Sequence, residues 1–176
     1  EQAAFDLPIA IDSVNQAQLQ NGQWQVNLSE SLARIPGIVA QNRQNYAQDL
    51  QISSRGFGAR STFGVRGLRL YSDGIPATMP DGQGQVSHFD LGSAARVEVM
   101  RGPFSTLYGN ASGGVISLFT EDGTPGMMIT PGVTFGSFGT QRISTKFSGD
   151  TGTLNYVADI ASFRTDGYRE HSAAKR

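Results

Sequence analysis

"RGPFSTLYGNASGGVISLFT", Arg101 to Thr120, is the stretch on which the fold of this chain turns. Glycines at this density often cradle a phosphate or frame a nucleophile. Here Gly102, Gly109, Gly113 and Gly114 stand among residues that include no histidine, cysteine or acid, so neither chemistry has its side chains. Pro103 suits the first turn of a short helix running to Tyr108. "GGVISLFT" reads as a strand, and Gly109, Gly113 and Gly114 read as hinge glycines whose tight turns carry the chain from that helix into it. Just upstream, "RVEVM" reads as a second strand with Val97 and Val99 inward.

Further toward the N-terminus the elements are short. "RGLRLYSDGIP" alternates Leu68 and Leu70 with Arg69 and Tyr71, then turns at Asp73-Gly74. A long polar loop, Ala77 to Ser87, follows it. "IVAQN" and "LQISSRG" read as strands around the polar loop "RQNYAQD". "NLSESLARIPG" predicts the clearest helix. Asn27 can cap it, Glu30 stands three residues on as in a capping box, and Leu28, Leu32 and Ile35 share a face. Pro36 and Gly37 stop it. "LPIAIDSV", Leu7 to Val14, alternates as a half-buried strand does. Residues 1–122 therefore read as an α+β domain, a small mixed β-sheet with short helices.

After "EDGTPG", Glu121 to Gly126, the texture changes. Ile129, Pro131, Val133 and Phe135 alternate with Thr130, Gly132, Thr134 and Gly136. Ile143, Thr145 and Phe147 alternate with Arg142, Ser144 and Lys146. Leu154, Tyr156, Ala158 and Ile160 alternate with Asn155, Val157, Asp159 and Ala161. Segments of about ten residues with this pattern are the signature of transmembrane β-barrel strands. A soluble antiparallel sheet with one wet face has the same period, and periodicity leaves both readings open. So few strands cannot close a barrel, and they leave edges exposed. Incomplete order or self-association through those edges is expected beyond about Gly126.

Composition narrows the function. Charged residues are 16% of the 176, low for a disordered chain, and 22 glycines point to many turns and close strand contacts. With 14 basic and 15 acidic residues, no basic face for nucleic acid stands out. The absence of cysteine excludes thiol catalysis, disulfides and thiolate metal sites. His88 and His171 have no second ligand at metal-binding spacing, so no metal site is expected. No G-x-S-x-G or G-x-G-x-x-G occurs, which leaves no expectation of an enzyme or of a cofactor.

In order along the chain, "LSESLARIPGIVAQN", "ISSRGFG", "VRGLRLYSDGIP" and "LGSAARVEVMRGPFSTLYGNASGGVISLFT" resemble the plug domain of TonB-dependent outer-membrane receptors. The resemblance covers nearly all of residues 1–120. The strands after Pro125 look like the opening strands of the receptor barrel. Residues 41–85 closely resemble the YncD-type receptors, a subgroup that looks like importers of pyrroloquinoline quinone, some members carrying a siderophore-receptor label. The resemblance implies two units: a plug over residues 1–122 and the first, incomplete strands of a transmembrane β-barrel over residues 127–176. It implies a transporter in the outer membrane of a Gram-negative bacterium, with the plug inside the barrel lumen, gating uptake of a scarce small nutrient. TonB would engage a segment upstream of residue 1, since no TonB-box-like segment is read before Phe5.

Residue roles follow from the same resemblance. Arg55 and Arg101 match two plug arginines that face glutamates on the inner barrel wall, a lock whose ion pairs are strong when partly desolvated. By residues alone, each is a surface arginine at a strand end. Loop residues Arg43, Gln44, Asn45, Tyr46, Arg60, Phe63, Met79, Asp81 and Gln83 would form the ligand-binding apices, with cationic and stacking contacts for an anionic planar ligand. Without the resemblance, the residues equally suit a soluble extracellular small-ligand-binding module of mixed α+β type.

Overall fold

The computed structural model of the chain describes residues 10–46, 48–62, 64–102, 105–109 and 111–176. The first strand, β1, is Ala10–Asn15, and the helix α1, Gln16–Gln20, follows at once. The predicted strand starting at Leu7 thus lies partly outside the described residues. Local sequence explains α1. The Asn15 side chain accepts from Gln18 N, and Gln18 Oε1 accepts from Asn15 N, both at 3.0 Å. This reciprocal pair is a capping box spelled with Asn and Gln.

The second helix, α2, is Ser29–Leu32, shorter than its sequence suggests. Its N-cap is Leu28, and the Asn27 side chain does not cap it. Half of the expected box survives: Glu30 accepts backbone N–H bonds from Gln25, Val26 and Asn27 at 2.9–3.0 Å. The strands β2 (Ile38–Gln41) and β3 (Gln51–Ser54) pair antiparallel, as expected. Two short strands, β4 (Val65–Arg66) and β7 (Gln83–Gly84), pair across the predicted polar loop, which is therefore not all loop. Between them, β5 (Arg69–Ser72) and β6 (Ile75–Pro76) form the expected hairpin. Asp73 and Gly74 have φ of 48° and 78°, the mirror-image turn that suits strand twist. Asp73 also accepts from Thr120 N and Oγ1 at 2.8 and 2.9 Å.

The strands β8 (Ala94–Arg101) and β9 (Val115–Thr120) flank α3 (Ser105–Tyr108) and complete a mixed five-stranded sheet, ordered β1-β8-β9-β5-β6. Pro103 lies outside the described residues. Val97, Val99, Ile116, Leu118 and Leu70 are buried, and Leu19, Leu32 and Ile52 close the same core. Two glycines of the opening stretch have close neighbours. A Cβ at Gly114 would collide with Met100 O, and one at Gly113 would lie 2.8 Å from Phe57 Cβ. Gly109 alone of the three hinge candidates faces open space.

Beyond Gly123 the chain forms a second layer of β10 (Gly126–Phe135), β11 (Gln141–Asp150), β12 (Asn155–Thr165) and the short β13 (Ala174–Lys175), antiparallel in that order. The long strands run in unbroken register. The register aligns Ile129 with Phe147 and Ala158, and Thr145 with Ile160, on one face. That face is bare: Met127, Ile129, Val133, Ile143 and Ile160 are all at least half exposed. The opposite face carries Arg142, Lys146, Asp159 and Phe163 and lies against the α+β domain, with Phe163 and Arg142 buried.

Candidate functional site

An open cleft of about 1120 Å³ lies where three distant segments meet: residues 43–46 with 48–50, residues 85–88 and residues 169–176. Its position follows from the strand layer. Gly126 and Asp150 mark the end nearest the exit from the α+β domain. Phe135, Gln141 and Arg164 mark the far end, and the loop after β12 continues from there into the cleft. Arg169 donates to Arg43 O at 3.4 Å, and Arg176 donates to Val26 O at 3.0 Å and to Ser87 O. Arginines of the strand layer thus grip backbone carbonyls of the α+β domain around the cleft.

The cleft is cationic. Arg43, Arg169, Lys175 and Arg176 line it against Asp49 and Glu170. Gln44 and His171, both in its lining, have φ of 57° and 59°. Non-glycine residues in this conformation cluster at binding sites. Gln44 is held there by its N–H bond to Asn42 Oδ1 at 2.8 Å. Tyr46 packs against Phe163 with ring centroids 5.1 Å apart and the rings tilted by 50°, and Trp24 meets the same ring edge-on at 6.0 Å. Burial pushes the Tyr46 hydroxyl above the usual tyrosine range, and the Glu30 carboxylate adds to the shift.

Of the expected apex residues, Arg43, Gln44, Asn45 and Tyr46 line this cleft. Arg60, Met79, Asp81 and Gln83 do not. Asp81 and Gln83 face Arg66 instead, at 3.8 and 3.1 Å. The loop carrying Arg60 is drawn to the same end of the β2–β3 hairpin by Gln51, which donates to Ala59 O at 2.8 Å. Phe63 lies outside the described residues. Gln85, at the end of the third expected apex loop, also lines the cleft, while His88 and the 169–176 segment were not anticipated, because nothing local in the sequence announces that they meet.

Arg55 and Arg101 come together around Gly37. A Cβ there would lie 3.5 Å from Arg55 Cγ and 3.6 Å from Arg101 Nη1. Arg101 pairs with Asp12 on β1 and donates to Pro36 O at 2.6 Å, so both its partners are inside the α+β domain. Arg55 is exposed at φ 48° and donates its N–H to Gly37 O at 2.9 Å.

The two layers meet through specific seats. Lys146 Nζ is 2.5 Å from Glu121 Oε1, and both side chains are largely buried. Asp159 lies 3.4 Å from Arg142, whose other nitrogen donates to Ser144 at 2.7 Å. The Asp159 carboxylate rests on Gly92, where a Cβ would collide with it. Gly123 and Asn155 exchange two hydrogen bonds, at 2.8 and 3.2 Å. Among the described residues, no cluster of ligating side chains fit for a metal is present.

The sequence profile of the family described as TonB-dependent Receptor Plug Domain matches residues 3–115. The pyoverdine outer membrane receptor FpvA from Pseudomonas aeruginosa PAO1, solved bound to pyoverdine, is similar at 21% identity over 96% of this chain, with a TM-score of 0.72. The ferric yersiniabactin uptake receptor FyuA from Yersinia pestis is similar at 22% identity over 89%, with a TM-score of 0.66. The siderophore receptor PirA from Acinetobacter baumannii is similar at 20% identity over 88%, with a TM-score of 0.64. These likenesses concern the fold. The chain spans 24% of the length of each of the three.

Proposed function

Because the chain belongs to the TonB-dependent receptor plug domain family, we propose that it is the plug and first wall strands of an outer-membrane transporter that gates uptake of a small nutrient. The observation that carries this reading is the two-faced strand layer. Its outer face is apolar and bare, while its inner face is polar and seated on the plug. That is the division expected where one face meets lipid and the other a filled lumen. A soluble module would leave this apolar face in water, which small domains avoid.

In this reading Arg55 and Arg101 are the plug's lock toward wall glutamates outside this chain, and TonB acts on a segment upstream of residue 1. The cationic cleft, with Tyr46 in its lining, favours an anionic ligand with a flat face. Such a ligand is either a siderophore-like chelate or, as the likeness to YncD-type receptors suggests, pyrroloquinoline quinone. The test is calorimetric titration of the full-length receptor with that quinone and with ferric siderophores. Saturable binding of one of them, lost on Arg43→Ala, supports the reading, and binding of neither overturns the cargo class.

A further inference from the structure

Three contacts, spaced four residues apart along the first described segment, reach different parts of the plug. Asp12 pairs with Arg101. Gln16 Nε2 donates to Glu121 Oε2. Gln20 Nε2 donates to Gly92 O at 2.9 Å and to Ala94 O at 3.2 Å. Glu121 and Gly92 are the plug residues on which Lys146 and Asp159 of the strand layer rest. Gln16 and Gln20 are an i, i+4 pair, so the two amides share one face of α1. We propose that Gln16 and Gln20 are positioning residues for the contact between plug and wall, acting through Glu121 and Gly92.

The physical need for each amide is plain. Glu121 is largely buried, and Lys146 occupies one of its carboxylate oxygens at 2.5 Å. The other oxygen needs its own donor, and Gln16 supplies it. With that donor gone, the carboxylate is free to rotate off Lys146. Gly92 sits in a turn fixed by Asp90, which accepts from Gly92 N at 3.1 Å and from Ser93 Oγ at 2.5 Å. Gln20 secures the carbonyl side of that turn, so the bare α-carbon stays aligned under Asp159. The two seats are themselves joined, since Glu121 N donates to Ser93 O at 2.9 Å.

The capping box between Asn15 and Gln18 makes β1 and α1 one continuous unit, with the amides at the first and last residues of its helix. A displacement of β1 is therefore delivered to both seats. Its consequence for transport, that drawing out the first segment releases the plug from Lys146 and Asp159, rests on the transporter reading above.

The test is hydrogen exchange on the full-length receptor in detergent, comparing wild type, Gln16→Leu, Gln20→Leu, Lys146→Met and the Gln16→Leu/Lys146→Met pair. Exchange should rise about five- to tenfold at residues 90–94 for Gln20→Leu and at 120–124 for Gln16→Leu, the local equivalent of one lost hydrogen bond. Residues 96–100 and 115–118 should stay unchanged, and Lys146→Met should add nothing to Gln16→Leu at 120–124. Faster exchange through 96–100 and 115–118, full additivity of the pair, or no change at either seat would overturn the proposal. Uptake by the wild-type receptor is measured separately, so a failure of the transporter reading leaves the exchange result to be judged on its own.

Discussion

The carboxylate of Asp159, on the inner face of β12, rests on the α-carbon of Gly92, which has no room for a Cβ. Arg142, 3.4 Å away, holds that carboxylate in place. The strand layer thus docks by inserting a charged group into a notch cut by a missing side chain. Gly92→Ala should weaken this docking by about 1–3 kcal/mol, the usual cost of overpacking. Chemical unfolding of the chain measures it. Repeating the substitution beside Asp159→Ser should recover most of the loss, whereas an equal loss in both backgrounds would place the strain elsewhere.

Phe163 is 3% exposed and lies between Trp24 and Tyr46. Phe163→Ala should cost about 3–5 kcal/mol, as for other buried aromatic rings. Trp24 is the chain's single tryptophan. Its emission should shift to the red as the ring loses its neighbour, and an unshifted spectrum would contradict the contact.

Asp12 supplies the one carboxylate paired with Arg101 among the described residues. The pair is partly exposed, so Asp12→Asn should lower stability by only about 1 kcal/mol. Urea midpoints in low and high salt measure this, and the difference between variant and wild type should shrink with salt.

Tyr46 has its hydroxyl held above the ordinary tyrosine range, by burial first and by Glu30 second. The folded state therefore keeps that proton more tightly than the unfolded chain. The stability tied to this group is intact below about pH 10 and is lost as pH rises through the higher folded value. Tyr46→Phe should flatten the fall in stability above about pH 10, and an unchanged alkaline limb would refute it.

In the full receptor, Arg43→Ala and Arg169→Ala should each weaken an anionic ligand about tenfold or more, as the loss of a charge-assisted bond does. Arg60→Ala should leave affinity near wild type, because Arg60 does not line the cleft. Equal losses at all three positions would mean that the binding surface extends over the second loop.

Much of this was legible in the sequence because the signals were local. Val97 and Val99 alternate with polar neighbours, Asp73-Gly74 is a hairpin turn in two letters, and the ten-residue alternation after Gly126 gives both faces of the strand layer. Helix α1 escaped notice because "QAQLQ" buries one side chain, Leu19, and shows no period. The cleft escaped for a different reason. Residues 43–46 with 48–50, 85–88 and 169–176 are joined by long-range packing, and local pattern cannot encode which loops will meet. The close neighbours of Gly113 and Gly114, Phe57 Cβ and Met100 O, come from distant segments that local pattern does not reveal, and Gly114 also takes a positive φ of 122°.

The central claim is that the outer face of β10–β12 meets lipid while the inner face holds the plug. The most direct measurement is spin labelling of single cysteines in the full-length receptor in bilayers, comparing accessibility to oxygen and to a polar nickel chelate. Ile129→Cys, Ile143→Cys and Ile160→Cys should be open to oxygen and closed to the chelate, and Ser144→Cys and Ala161→Cys should be shielded from oxygen. Chelate access at the three isoleucine positions would contradict a membrane wall and return the chain to a soluble module.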